Sequence, residues 1–194
     1  MGAELSLACR CGAFRGVAHG VSASAGCRVV CYCDDCRRYA QLLGGDSPVL
    51  DAHGGTDIFQ TSPARLEILQ GIDRLACLQL TKQGPLRWFA DCCKTPIGNT
   101  PPTRQMPFVG LVRSCMAVGP RELDRILGPV QLRVMGRFAL GDTTELRAHA
   151  GFPFLYVLRM TLRMLGWRLR GDHRRHPFFD AATGAPIASV RKPA

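Results

Sequence analysis

Nowhere in this sequence do about 18 uncharged apolar residues run together, so no membrane span is expected. The opening residues, MGAELSLACRCG, lack the basic start and long apolar stretch of a secretion signal. A cytoplasmic location is the expectation that follows. Repeats, low-complexity tracts and a linker of distinct composition are also missing, which excludes a solenoid. Acidic side chains are scarce in one half only. Residues 98–194 hold 6 of them against 15 basic ones, whereas residues 1–97 hold 9 against 10. The formal net charge of +10 therefore resides almost wholly in the C-terminal half. Such a field favours anionic partners: acidic small molecules, acidic lipid or nucleic acid.

What is abundant is cysteine. The 194 residues include ten, in a chain whose 46% hydrophobic and 21% charged content is ordinary for a globular protein. In a reducing compartment disulfides are rare, and clustered cysteines more often bind metal. Cys77, in LACLQL, and Cys115, in GLVRSCMAV, read instead as small buried apolar residues. Seven of the remaining eight, all but Cys27, fall in turns: Cys9-Arg-Cys11, Cys31-Tyr-Cys33-Asp-Asp-Cys36 and Cys92-Cys93. Tight turns bring sulfurs to one ion with little chain entropy to lose. Sulfur-only ligands favour zinc, which is borderline soft and accepts tetrahedral thiolate coordination. Seven such cysteines divide as four plus three. Four sulfurs close a structural site, while three leave a position open for water or substrate. A single structural zinc with three unrelated thiols is the plainer alternative.

The pattern elsewhere predicts a mainly β fold. Residues 4–9, 15–21 and 28–31 read as strands. A helix starts near Asp34, whose carboxylate and that of Asp35 suit its positive end, and stops at Gly44 and Gly45. A polar loop follows over 46–57. Short, regularly spaced strands at 58–60, 66–70, 75–80 and 86–89 suggest an antiparallel core. DCCKTPIGNTPP reads as a loop because of its Pro and Gly content. Beyond it come a short helix in PRELDRILGP, a strand at 130–135, a long helix at 153–170, and a turn with two short strands. The division expected is a zinc-binding core at 1–115 and a basic extension at 116–194 packed on the same domain.

The motifs Cys9-Arg-Cys11-Gly12, Cys31-Tyr-Cys33-Asp-Asp-Cys36-Arg37-Arg38 and Cys92-Cys93-Lys94-Thr95-Pro96-Ile97 resemble the glutathione-dependent formaldehyde-activating (GFA) family, which includes centromere protein V. The resemblance covers roughly residues 5–115 and looks like a divergent bacterial branch. It implies an antiparallel β-sheet, GFA-like fold with two zinc ions. The first CxC and the late knuckle would hold the structural zinc. Cys31, Cys33 and Cys36 would hold a catalytic one. The implied activity is that of a carbon–sulfur lyase, joining a small aldehyde to a thiol such as glutathione as S-(hydroxymethyl)glutathione, reversibly. One departure stands out: the family's late knuckle is usually CxxC followed by Gly. Aligned on Thr95-Pro96, the first cysteine position is Ala90 and the glycine position is Lys94. Cys92, next door, is then expected to complete the shell of Cys9, Cys11 and Cys93, with Cys27, a water or nothing as the fourth partner if it cannot reach.

Other residues are weaker signals. His19, His53, His149, His173 and His176 lack ligand spacing to the cysteine turns. Arg37 and Arg38 follow the last ligand and suit either an anionic substrate, the charge of the thiolates, or plain solvation. In the 153–170 helix, Leu155, Leu158, Leu162, Leu165 and Leu169 form one row beside Arg159, Arg163 and Arg170. The breadth of its apolar surface favours packing on the protein's own core, or on a partner in a homodimer, over an anionic membrane. Nucleic acid is disfavoured, because the basic cluster near 168–176 lacks interleaved aromatics. Two functions follow: a zinc carbon–sulfur lyase, or a non-catalytic zinc module binding an anionic partner through its basic half.

Overall fold

A computed structural model describes residues 2–44 and 49–193. Gly45 and the first residues of the expected 46–57 loop lie outside them. In chain order the elements are β1 (Ala3–Ala8), β2 (Arg15–Val21), β3 (Cys27–Cys31), α1 (Asp34–Leu43), β4 (Thr56–Thr61), β5 (Leu66–Gln70), β6 (Leu75–Leu78), β7 (Leu86–Ala90), β8 (Thr95–Thr100), β9 (Val109–Val112), α2 (Pro120–Leu127), β10 (Leu132–Val134), α3 (Phe154–Leu169) and β11 (Val190–Arg191). The chain is mainly β. One sheet has the order β1-β2-β5 and the other β10-β3-β4-β9-β8-β7-β6-β11.

The smaller sheet is antiparallel throughout. The larger one is not. Its two edges are strands from the C-terminal half, and both pair in parallel: β10 on β3 and β11 on β6. The antiparallel expectation therefore holds for the centre and is corrected at both edges. Parallel pairing needs a long return of the chain, and only residues far along the sequence can provide it.

β8 corrects a second expectation. TPIGNT has the composition of a loop, yet it is a fully buried strand between β7 and β9. Pro96 is tolerated because it lies at a register shift against β7 and outside the β8–β9 rungs, which join Gly98 to Leu111 and Asn99 to Gly110. Its missing N–H therefore costs no bond to β9. Gly98 lets the two backbones approach: a Cβ there would lie 3.2 Å from the Gly110 carbonyl oxygen.

The main core lies around Trp88, stacked on Phe178 at 4.9 Å, with Phe14, Phe59, Leu5, Ile97 and Leu111. Cys77 and Cys115 are fully buried here, as apolar residues. α2 adds Leu123, Ile126 and Leu127 to this core. Arg28 on β3 ties α2 to the sheet by pairing with Asp57 at 2.7 Å and with Asp124.

α3 behaves differently from expectation. Only Met160 and Trp167 are buried, and the leucine row faces outward. Packing on the protein's own core is supplied by the opposite side of the helix.

Candidate metal centre

The first cysteine group joins two turns. β1 ends at Ala8, and a turn closed by Gly12 N–H on the Cys9 carbonyl (2.9 Å) projects Cys9 and Cys11. The second turn, between β7 and β8, carries Cys92 and Cys93. Arg10 N–H donates to the Thr95 hydroxyl at 3.0 Å, which holds the turns in register. The sulfurs of Cys9, Cys11, Cys92 and Cys93 all lie within 4.8 Å of one another. Sulfur separations are 3.6 Å for Cys9–Cys11, 3.9 Å for Cys9–Cys92, 3.3 Å for Cys11–Cys92 and 3.9 Å for Cys92–Cys93. A zinc ion with Zn–S bonds of about 2.3 Å sets tetrahedral sulfurs about 3.8 Å apart, so this donor set fits.

Adjacent side chains of an extended strand point to opposite faces, and Cys92 and Cys93 escape this because residues 91–94 form a turn. Lys94 adopts φ 57°, the left-handed conformation that sharpens it. Cys27, the alternative fourth partner, sits on β3 outside the group.

Protons compete with a metal for these thiols. Burial pushes the Cys9 thiol up, against a bond donated by Phe14 N–H to its sulfur at 3.2 Å. Burial also opposes ionisation of Cys93, but its Thr95 hydroxyl partner and the Cys11 backbone bring it down to about 6. Cys93 is thus the member readiest to be a thiolate at neutral pH.

The second group is local. Cys31 ends β3, Cys33 is the N-terminal cap of α1, and Cys36 lies in its first turn, with its N–H on the Cys33 carbonyl at 3.1 Å. The three sulfurs lie within 4.8 Å of one another. Among the described residues no fourth His, Cys, Asp or Glu joins them. Cys33 is pushed down to about 2 because Cys31 and Cys36 donate to its sulfur, and Cys31 is pushed up for the reciprocal reason. One side of the group opens on a cleft of about 240 Å³, whose lining includes Gln60, Asn99, Phe108 and Phe152.

Sequence reasoning missed Arg87. This side chain on β7 is 3% exposed, and its guanidinium donates to the Cys36 sulfur at 3.7 Å and to the Asn99 side-chain oxygen at 3.4 Å. It also lies 5.3 Å from the Tyr39 ring centroid. A buried cation is costly unless it meets negative charge, and three thiolates on a divalent ion carry a net charge of −1. Arg37, one sequence candidate for that task, is engaged elsewhere, with Asp34 and the Phe138 carbonyl. The signal available in advance was only a basic residue in the apolar run LRWFA. Among the described residues no histidine joins either sulfur group: His19 bonds Glu4 and Glu67, and His53 bonds the Leu140 carbonyl.

No helix of the described residues is long and apolar enough to cross a membrane. No curated protein matches the chain significantly. A crystal structure of a Rhodobacter sphaeroides protein is similar to 61% of this chain and 94% of its own, at 21% identity and a TM-score of 0.39. A family model matches residues 1–191, nearly the whole length, and the chain thus belongs to a family of unknown function, DUF6151.

Proposed function

We propose that the protein binds two zinc ions, a closed structural one at Cys9, Cys11, Cys92 and Cys93 and an open, working one at Cys31, Cys33 and Cys36. The observation that carries this reading is the division of seven sulfurs into a group of four and a group of three that borders a cleft. Four sulfurs fill a tetrahedral shell, and three leave one position for an exchangeable ligand. The motif likeness to the GFA family over residues 5–115 supports the finer proposal, a carbon–sulfur lyase acting on adducts of a small aldehyde and a thiol such as glutathione.

In that reaction the thiol S–H adds across the aldehyde C=O. The C–S bond forms, and the proton ends on the oxygen; the reverse step breaks the same bond. A zinc at the open site would supply Lewis acidity and a thiolate-binding position. The protein's own residues would do the rest. Arg87 offsets the charge of the three thiolates. Gln60 and Asn99 offer side-chain amides to a hydroxyl or carboxylate, and Phe108 and Phe152 wall the cleft against water.

Metal analysis of purified protein tests the first proposal: two zinc per chain and a colourless solution are expected. A brown protein containing sulfide would overturn it. The finer proposal is tested by isotope exchange between labelled formaldehyde and glutathione, followed by NMR. Acceleration over the uncatalysed rate is expected, together with its loss in Cys33→Ser. A rate equal to background in the two-zinc protein would leave the alternative, a zinc module that binds an anionic partner without chemistry.

A further inference from the structure

α3 is about 24 Å long by its 16 residues. One side holds it to the protein. Met160 and Trp167 are buried, the Tyr156 hydroxyl donates to Gln60 at 2.6 Å, and Arg163 donates to the Gly26 carbonyl at 2.7 Å. The opposite side is apolar and bare. Phe154, Leu155, Leu158, Leu162, Leu165 and Leu169 are each between 42% and 81% exposed. At 100° per residue these six fall within one arc of about 100°. Apolar surface this contiguous marks an interaction site rather than chance exposure.

The charges beside it select the occupant. The helix has three arginines and no acidic residue. Arg159 flanks the apolar arc on one side, with Arg170 just past the helix end, and Arg168 flanks it on the other, all three exposed. Just past the helix end, a cleft of about 300 Å³ is lined by Arg65, Arg170 and Arg175 around one buried carboxylate, Asp172. A twofold contact with a second copy would bring two such arginine rims together with no carboxylate on either helix. A surface of anionic headgroups over an apolar layer supplies both missing components. We propose that α3 lies in the plane of an anionic lipid surface, its leucine arc in the acyl boundary and its arginines among the headgroups. This goes beyond the zinc reading and does not depend on it.

The test is co-sedimentation of the full chain with vesicles of phosphatidylcholine alone, or of phosphatidylcholine and phosphatidylglycerol in equal parts. Binding to the acidic vesicles is expected, weakening as salt rises. Leu162→Glu with Leu165→Glu should reduce the partition by about tenfold or more. Arg159→Gln with Arg170→Gln should reduce it by roughly fivefold per charge. Leu69→Glu, an equally exposed leucine on β5, should leave it unchanged. All four leucine and arginine positions are solvent-facing, so the variants should fold, which circular dichroism would check. Equal binding to both vesicle types, or no binding to either, would overturn the proposal. So would a stable dimer by light scattering that the leucine substitutions dissociate.

Discussion

At the scale of single residues, Lys94 and His176 illustrate how backbone and burial set energies that side-chain identity alone does not show. Lys94 occupies the left-handed region in the Cys92-Cys93 turn, where a Cβ is unfavourable by roughly 1 kcal/mol. Its ammonium pairs with Asp91, but both groups are exposed and the pair contributes little. Lys94→Gly should therefore raise stability by roughly 0.5–1 kcal/mol, measured by urea unfolding of the metal-loaded protein. His176 is buried against Phe179, ring centroids 4.7 Å apart. Burial holds it neutral, down to about 3 from 6.5. Because the folded value is the lower one, the folded state binds fewer protons, and its stability is complete above pH 6.5 and lost as pH falls toward 3. In that window the loss approaches about 1.4 kcal/mol per pH unit. His176→Leu should flatten the acid limb, as seen by comparing denaturant midpoints of the two proteins at pH 7 and pH 5. Any release of metal from the cysteine groups at low pH would act on both proteins and drop out of the difference.

Among the elements, α2 depends on one ion-pair network. Its apolar side reaches the core through Leu123, Ile126 and Leu127, and Asp124 at its rim meets Arg28. Arg28 is buried while also holding Asp57. Removing the guanidinium leaves a partly buried carboxylate without its partner. Arg28→Met should destabilise by about 3 kcal/mol, at the lower end for broken buried pairs because Asp124 is open to water. Asp124→Asn should cost less, since the pair with Asp57 survives. Thermal unfolding of the two variants side by side checks the order. α1 shows the same economy of position. Cys33 and Cys36 occupy its cap and first turn, so forming the helix and assembling the second sulfur group are one local event.

For the whole molecule, the position of the four-sulfur group matters more than its composition. Cys9 and Cys11 lie in the turn between β1 and β2 of the smaller sheet, Cys92 and Cys93 in a turn of the larger one. An ion held there would cross-link the two sheets across more than 80 residues of chain. The three-sulfur group closes only a local loop at the end of β3. Cys9→Ser should accordingly cost several kcal/mol and lower the melting temperature, while Cys36→Ser should cost far less stability. With both sites loaded, chelation should melt the protein in two steps, the three-sulfur site, which has one protein ligand fewer, losing its metal first. Metal content and melting curves followed together would show this, and equal damage from both substitutions would mean that the two groups do not divide their roles.

What could be read in the sequence was what the chain decides locally. Cys31, Cys33 and Cys36 must lie near one another at that spacing, and Cys9 near Cys11. The strands β1, β2, β5 and β7 announce themselves by β-branched and apolar residues between turns. The buried character of Cys77 and Cys115 followed from the apolar runs around them. Tertiary structure alone decided the rest. It placed Cys92 beside Cys11, and it made a central strand of TPIGNT, because pairing on both sides outweighs poor intrinsic propensity. It set β10 and β11 in parallel at the sheet edges and brought Arg87 to the Cys36 sulfur across 51 residues of chain. It also turned the leucine row of α3 outward. Periodicity reveals that a helix has an apolar side, but whether that side meets the core depends on which other surfaces the folded chain has left to cover. Here Met160 and Trp167 filled the contact, and the leucines were left facing out.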